Sequence, residues 1–282
     1  MPEKIGGDLL LEATAGWTAA VRALESARPD RLFDDPWARA LASEEGAAWA
    51  AQRSPDRLIS IVLRTRFFDD FLQRVAREHA IRQIVLLAAG LDTRAYRLAW
   101  PPQTRLFELD RPAILRHKAE IMRAAGARAA CEPRAVEADL VEPWREPLLA
   151  AGLDPRQPAI WLLEGFLFYL AGEQIARLID EVSSLAAPGS WIGFDVVNGA
   201  TLTSPYTRQW VEMQAASGAP WIGTLDAPAA FLAERGWLAT VTPIGAPGAN
   251  YGRWPFPPIP DDMPNMPRHW FVTATRGESV TR

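Results

Sequence analysis

From residue 84 onward, short runs of apolar residues alternate with amphipathic helical segments. The runs span 4 to 7 residues, which favours strands over helices. Five of them lie at 84–87, 105–110, 135–138, 159–163 and 191–197. Helical patterns follow at 112–125 and 172–185. Because the strands are apolar on both faces and are separated by helices, they predict an α/β fold with a parallel sheet covered on both sides.

The segments on either side of this alternation have a different character. Residues 1–80 predict a helical cap with helices at 9–25, 36–52 and 57–78, and residues 81–282 predict the sheet domain, the two forming one compact unit. An aromatic insertion at 198–225 interrupts the alternation of strands and helices. Further patterns predict a helix at 228–235, final strands at 238–242 and 270–274, and a Pro-rich loop at 243–267. A connection of that length is often functional.

Composition excludes several classes of protein. The chain is 49% hydrophobic with a net charge of −4, which is unlike a disordered chain or a nucleic-acid binder. Every apolar run is far shorter than the roughly 18 residues of a membrane span. The first residues lack the apolar core of a signal peptide, and the single Cys131 forms no internal disulfide. We therefore expect a cytoplasmic protein without a membrane or nucleic-acid partner.

Acidic residues follow three of the predicted strands. Asp110, Asp139 and Glu164 stand at the ends of the second, third and fourth strands, the edge at which parallel sheets bind ligands. Each of them alone would also suit helix capping or loop solvation. The turn after the first strand contains Ala89-Gly90, and Asp110 follows Gly90 by 20 residues, the spacing of a ribose-binding acid. The three acids therefore predict a polar ligand laid across the sheet edge.

The glycine pattern of this turn is incomplete for a pyrophosphate-binding loop, which disfavours a dehydrogenase and favours a nucleoside without phosphate. S-adenosylmethionine is such a nucleoside. Asp110 can accept from its ribose diol, Asp139 from its adenine amino group, and Glu164 can lie near its ammonium. Its carboxylate needs a cation, which Arg22, Arg64 or Arg66 could supply, and Arg64 shares the apolar stripe of its helix.

Taken together, these segments resemble the leucine carboxyl methyltransferase family. Within the family, the chain resembles the bacterial branch that includes tetracenomycin-type polyketide carboxyl O-methyltransferases. Five motifs carry the resemblance in order, and residues 18–38 add to it. They are Arg-Thr-Arg-Phe-Phe-Asp at 64–69, residues 86–97, Phe-Glu-Leu-Asp at 107–110, Asp-Leu at 139–140, and Glu-Gly-Phe-Leu-Phe-Tyr-Leu at 164–170.

The resemblance implies a class I methyltransferase (Rossmann-like) fold, with a mostly parallel seven-stranded sheet that contains one antiparallel strand, and an N-terminal helical cap. It implies S-adenosylmethionine as cofactor, with Arg64 at its carboxylate, Ala89 and Gly90 beside its backbone, and Leu140 with Asp139 at its adenine. It further implies Asp110 at the ribose and Glu164 near the methionine end. The family usually has Gly-Ala-Gly where this chain has Ala88-Ala89-Gly90.

We expect methyl transfer to the carboxylate of a small polyketide-like or aromatic molecule, because a carboxylate needs no general base at pH 7. The resemblance implies Tyr169 on the substrate side, where it would position the acceptor. Arg22, Trp210 and His269 are further candidates for substrate contacts, and His269 would be the base for a phenol acceptor. A protein C-terminus, a hydroxyl acceptor and a non-catalytic cofactor-binding partner protein remain alternatives. No metal is expected, and the oligomeric state stays open.

Overall fold

In the computed structural model, the described residues are 5–53, 55–257, 259–260 and 262–277. Seven strands form one sheet in the order β3-β2-β1-β4-β5-β7-β6. β1 to β5 pair in parallel, and β7 runs antiparallel to both β5 and β6. The predicted mostly parallel sheet with one antiparallel strand is therefore confirmed. The strands are β1 Gln83–Leu87, β2 Arg105–Asp110, β3 Glu132–Glu137, β4 Ala159–Leu163, β5 Trp191–Val197, β6 Trp237–Pro243 and β7 His269–Arg276.

The helices before and between the strands cover both faces of the sheet. Before β1 lie α1 Ile5–Ser26, α2 Ala38–Leu41, α3 Glu44–Ala51 and α4 Pro55–Glu78. Between strands lie α5 Arg94–Arg97, α6 Pro112–Ala124, α7 Arg145–Ala150 and α8 Gly172–Leu185. After β5 lie α9 Ala200–Thr203, α10 Arg208–Ala216 and α11 Pro228–Ala233. No helix among the described residues is long and apolar enough to cross a membrane.

The apolar character of β1 follows from its central place in the sheet. Ile84 and Leu86 face one core, in which they lie with Phe68 and Leu72 of α4. Val85 and Leu87 alternate with them and belong to the core on the opposite face. Because successive side chains point to opposite faces, a strand covered on both sides must be apolar throughout. The same α4 residues show that the N-terminal helices share a core with the sheet.

The single helix predicted over 36–52 is wrong: the structure has two helices there, α2 and α3. The chain leaves the helical conformation at Ala42, and the Ser43 hydroxyl then accepts a hydrogen bond from the amide of Gly46 at 2.9 Å, which caps α3. α3 also crosses α1 very closely. A Cβ on Gly46 would lie 2.6 Å from the carbonyl oxygen of Gly16, so glycine is required for this contact.

Several shorter elements were not foreseen from the sequence. They are α5, α7 and the two helices α9 and α10 within the aromatic insertion. β3 begins three residues earlier than predicted, at Glu132, because this edge strand is exposed along most of its length and tolerates polar residues and Pro133. In the Pro-rich loop, no further helix or strand occurs among the described residues between β6 and β7.

Candidate active site

A cavity of about 410 Å³ lies at the carboxyl ends of β1, β2 and β4. It is lined at one end by acidic and small residues and at the other by aromatic rings. Of the residues singled out from the sequence, all except Arg66 and His269 line it: Arg22, Arg64, Ala89, Gly90, Asp110, Asp139, Leu140, Glu164, Tyr169 and Trp210. Arg66 instead pairs with Asp70 on its own helix, with its Nε 3.0 Å from Asp70 Oδ2. The tertiary structure thus brings together residues from the N-terminal helices, four strand ends and the aromatic insertion.

The loop after β1 is fixed by Asp110 at the end of β2. The Gly90 amide donates a hydrogen bond to Asp110 Oδ2 at 2.7 Å, and the Arg111 amide donates to Oδ1 at 2.7 Å. Gly90 has φ +51°, a left-handed conformation that suits glycine. Burial raises the pKa of Asp110, although both backbone hydrogen bonds oppose that effect. Asp110 therefore ties two strand ends together while its carboxylate borders the cavity.

Asp139 and Leu140 follow β3 on the same side of the cavity. The Val141 amide donates to Asp139 Oδ1 at 3.1 Å, which turns the chain just after the strand. Asp139 is exposed, in contrast to the nearly buried Asp110. Leu140 is half-buried against the apolar core, so this wall combines one carboxylate with an apolar side chain.

Arg64 of α4 connects two acids at the ends of neighbouring strands. Its Nε lies 3.0 Å from Glu164 Oε1 and its Nη1 lies 3.1 Å from Asp195 Oδ2. Asp195 is completely buried on β5 and also accepts the amide of Gly165 at 2.6 Å. Burial alone would raise the pKa of Asp195, but the charge of Arg64 and the hydrogen bond from His269 hold it below its usual range.

Asp195 was missed because it lies inside an apolar strand, where the sequence pattern signals only a core residue. The one local indication of a functional role was the presence of a charged residue within an otherwise apolar run. Glu164 has a second cationic neighbour that was also missed: Arg94 Nη2 lies 2.7 Å from Glu164 Oε2. Arg94 is buried in α5, directly after the loop that carries Gly90.

Arg94 and Arg97 of α5 share the carboxylate of Asp69 on α4. Arg94 Nε donates to Asp69 Oδ1 at 2.7 Å, and Arg97 donates to both oxygens at 2.5 and 2.8 Å. Arg94 Nη1 also lies 2.5 Å from Asp92 Oδ2. Burial opposes the charged form of Arg94, yet these acids raise its pKa well above the ordinary value. Asp69 is therefore a buried ion-pairing residue of α4, because α5 covers it.

Arg22 of α1 is engaged in the same part of the structure. Its Nε donates to Asp35 Oδ2 at 2.8 Å, and its Nη2 donates to the carbonyl of Leu91 at 2.7 Å. Asp35 also accepts the Thr93 hydroxyl at 2.7 Å. Arg22 lines the cavity beside the loop after β1, rather than among the aromatic residues. Its guanidinium thus anchors this loop to the N-terminal helices.

Aromatic rings from four separate segments surround the other end of the cavity. Trp17 of α1 stacks on Trp49 of α3 with ring centroids 4.9 Å apart, and Trp49 meets the edge of Trp210 on α10 at 6.4 Å. Trp221 stands 5.8 Å from Trp210 and stacks on Phe168 at 4.4 Å. We call Trp17, Trp49, Phe168, Trp210 and Trp221 the aromatic wall.

Tyr169 lies where the aromatic wall approaches Arg64 and Asp195. Burial raises the pKa of Tyr169, while Trp221, Arg64 and Gln214 act in the opposite direction. The position of Trp221 is set by the backbone next to it. The amides of Ile222 and Gly223 both donate to the carbonyl of Phe168 at 2.8 Å, which docks the insertion on the segment after β4.

His269 does not line the cavity. It is the first residue of β7 and pairs with Val197 at the carboxyl end of β5, because β7 runs antiparallel to that strand. Its Nε2 lies 3.2 Å from Asp195 Oδ2, and its ring meets the edge of Phe168 at 5.7 Å. The structure therefore places His269 behind the cavity wall, next to Asp195.

Comparison with known proteins assigns the family. The model of the leucine carboxyl methyltransferase family matches residues 15–183, which include every cavity element up to α8. The chain belongs to the leucine carboxyl methyltransferase family.

Relatives of this chain are provisionally named S-adenosyl-L-methionine-dependent methyltransferases. One from Parafrankia sp. is 40% identical over 275 residues, covering 93% of this chain and 86% of the relative. One from Streptomyces coelicolor is 40% identical over 274 residues, covering 91% and 90%. The protein is accordingly an S-adenosylmethionine-dependent methyltransferase.

Two solved structures have a fold similar to that of this chain. A provisionally assigned methyltransferase from Thermobifida fusca has a TM-score of 0.62 at 17% identity and covers 93% of this chain and 94% of its own. A DUF574 family protein from Streptomyces avermitilis has a TM-score of 0.61 at 16% identity, with coverage of 92% and 96%. The fold is that of the class I methyltransferases.

The cavity of this methyltransferase has the donor and acceptor groups that S-adenosylmethionine requires. Asp110 and Asp139 offer carboxylates for hydroxyl and amino groups, and the backbone at Gly90 leaves open space, since a Cβ there would meet only Ala15 at 3.8 Å. Within the described parts of the chain, no group of three His, Cys, Asp or Glu residues is arranged to hold a metal ion.

Proposed function

We propose that this protein transfers the methyl group of S-adenosylmethionine to the carboxylate of a small, flat, aromatic or polyketide-like acid. The observation that carries the proposal is the continuity of the cavity, which runs from the acids at the strand ends to the aromatic wall. Aromatic side chains bind flat apolar rings through large contact areas and offset or edge-to-face packing. We place the reaction in secondary metabolism and in the cytoplasm.

The acidic end of the cavity would hold the cofactor. Asp110 would accept from the ribose diol, Asp139 and Leu140 would contact the adenine, and Ala89 and Gly90 would border the cofactor backbone. Arg64 and Glu164 would bind the carboxylate and the ammonium of the methionine end. This assignment is supported by their common cavity and by the ion pair between Arg64 and Glu164, which keeps opposite charges side by side.

The residues at the aromatic end would position the acceptor. Trp210 and Tyr169 line this part of the cavity, and the phenolic O–H of Tyr169 can donate a hydrogen bond to a carboxylate. The acids that line the cavity, Asp92, Asp110, Asp139 and Glu164, belong to its other end. This separation lets an anionic acceptor approach without facing a carboxylate of the protein.

S-adenosylmethionine supplies a methyl group on a sulfonium, and its transfer to a carboxylate forms a C–O bond, breaks an S–C bond and releases no proton. The protein then needs only to align the acceptor and to exclude water from the cavity. Tyr169 and the aromatic wall would do both, since they enclose the acceptor end with bulky side chains. Arg22 would act indirectly, by holding the loop after β1.

Two alternatives make different demands on the site. Methylation of a phenol or another hydroxyl would require a base, and His269 is the candidate, but it contacts Asp195 behind the wall instead of lining the cavity. Methylation of a protein C-terminus would require the aromatic wall to admit a polypeptide chain. A non-catalytic cofactor-binding role would not explain the aromatic wall, because no acceptor would bind there.

The linkage formed on the product tests the proposal. The protein is incubated with methyl-labelled S-adenosylmethionine and a panel of flat aromatic acids, phenols and peptides with free C-termini. We expect label on the acids that mild base releases, as it does from a methyl ester. A base-stable label would establish an ether or an amine product, and label on the peptides would establish a protein substrate. Absence of turnover with every member of the panel would favour the non-catalytic role.

The cofactor assignment is tested by calorimetry on the Asp110→Ala variant. We expect loss of S-adenosylmethionine binding, because Asp110 borders the cavity and fixes the Gly90 loop. Glu137→Ala is a matched control, since Glu137 is the register partner of Asp110 at the end of β3, is exposed and is not on the cavity wall. Unchanged affinity in Asp110→Ala would remove Asp110 from the site.

A further inference from the structure

Four buried polar atoms at the aromatic end of the cavity have no hydrogen-bond partner among the described residues. They are Nε1 of Trp49, Trp210 and Trp221, and Oε1 of Gln214. All four residues line the cavity, and Gln214 is only 4% exposed. Leaving a buried donor or acceptor unpaired is destabilising. Such a concentration of unpaired groups around one cavity indicates a ligand that pairs with them.

These groups have defined hydrogen-bonding characters. An indole N–H can only donate, so Trp49 and Trp210 call for an acceptor oxygen on the ligand. The carbonyl of the Gln214 side chain can only accept, so it calls for a hydrogen-bond donor on the ligand, which a hydroxyl supplies. An unsubstituted aromatic acid has no hydrogen-bond donor, and its only acceptor group is its carboxylate. An aromatic acid with a ring hydroxyl supplies both the donor and the acceptor.

The surrounding contacts hold this part of the wall in place. Trp49 lies between Trp17, which stacks on it, and Arg53, whose guanidinium carbon is 4.0 Å from the ring centroid. Arg53 also bridges the two sides of the wall, because its Nη1 donates to the Trp49 carbonyl at 2.6 Å and its Nη2 lies 2.8 Å from the Met213 sulfur. The N–H of Trp49 is thus oriented before any ligand binds, which favours selective recognition.

The geometry points to Trp49, Trp210 and Gln214 as a specificity site for a hydroxyl group on the aromatic ring of the acceptor, remote from the carboxylate that is methylated. The inference rests on the proposed function, because it names the class of acid that this cavity selects. In this arrangement the indole N–H groups donate to the hydroxyl oxygen, and the hydroxyl donates its proton to Gln214 Oε1. Hydroxylated aromatic acids are therefore the substrate class.

Three probes with the same ring system distinguish hydrogen-bond donation by the ligand from hydrogen-bond acceptance. 6-Hydroxy-2-naphthoate can donate and accept at the remote position, 6-methoxy-2-naphthoate can only accept, and 2-naphthoate can do neither. Binding is measured by calorimetry in the presence of S-adenosylhomocysteine. The wild-type protein should bind the hydroxy acid about 3- to 10-fold more tightly than 2-naphthoate, the ratio expected of one net hydrogen bond.

Each variant should alter one comparison. Trp210→Phe keeps an aromatic face but removes one of the two donors, so the advantage of the hydroxy and methoxy acids over 2-naphthoate should fall, with only Trp49 left to donate. Gln214→Leu should abolish only the preference for the hydroxy over the methoxy acid. Trp37→Phe is the matched control, because Trp37 Nε1 is also buried without a partner but is not on the cavity wall. It should leave all three affinities unchanged.

Equal wild-type affinity for the three probes would overturn the inference. So would a parallel loss of all three affinities in Trp210→Phe and Gln214→Leu, since that result would show a packing role only. Failure of every naphthoate to bind would reject this substrate class. The formation of a base-labile methyl ester on a different acid would nevertheless leave the proposed function standing. Thermal unfolding of each variant confirms that the binding data come from folded protein.

Discussion

Replacement of Asp69 by Asn should destabilise the protein strongly, because Asp69 neutralises two buried arginines. Its carboxylate accepts hydrogen bonds from Arg94 and Arg97 at 2.5 to 2.8 Å, and the residue is 4% exposed. In the variant, Arg94 keeps Asp92 and Glu164, but the nearest remaining acid to Arg97 is Asp35 at 3.8 Å. Breaking one side of a buried ion pair typically costs about 3–5 kcal/mol.

The neighbouring Asp70→Asn variant provides the control for this prediction. Asp70 pairs with Arg66 one helical turn earlier at 3.0 Å, but its side chain is 43% exposed. It also accepts the Tyr251 hydroxyl at 3.0 Å. An exposed pair of this kind contributes at most about 1 kcal/mol. The two variants therefore change adjacent residues of one helix by the same chemistry, but in different surroundings.

The assay is urea unfolding followed by circular dichroism, with the free energy of unfolding extrapolated to water. We expect Asp69→Asn to lose several-fold more free energy than Asp70→Asn at an unchanged slope. Because Arg94 follows the Gly90 loop, Asp69→Asn should also weaken cofactor binding. Equal losses in the two variants would refute the reasoning, since burial of the arginines would then have no energetic consequence.

Three further predictions follow from individual sites. Ala88 has φ +54°, so Ala88→Gly should raise the free energy of unfolding by about 0.5–1 kcal/mol in urea titrations, and an unchanged or lower value would contradict this. Gly165→Ala should weaken S-adenosylhomocysteine binding, because its Cβ would lie 2.8 Å from Nη1 of Arg64, whereas Gly126→Ala has a similar φ and meets nothing within 4 Å. The pKa of Asp195 is below its usual 3.8, so its stabilising effect is present above pH 3.8 and is lost as the pH falls through the lower folded value. The stability difference between wild type and Asp195→Asn should shrink in that acidic range, and a constant difference from pH 7 to pH 3 would argue against it.

The sequence determined the architecture because the sheet depends on local patterns. Apolar runs such as 84–87 must be strands covered on both faces, and Asp110 and Glu164 must lie at their carboxyl ends. The direction of parallel strands then brings these acids to one edge of the sheet. For this reason the fold and the acids at this edge of the sheet could be predicted without coordinates.

Tertiary packing alone decided how the charges pair. Asp195 lies within an apolar strand and Asp69 within a helix, and neither position indicates locally that an arginine from a distant segment will reach it. The aromatic wall has the same origin, because Trp49, Trp210 and Trp221 come from segments that meet only after α3 and the insertion have docked. Local periodicity fixes which face of an element is buried, but the identity of long-range partners depends on the positions of whole elements in space.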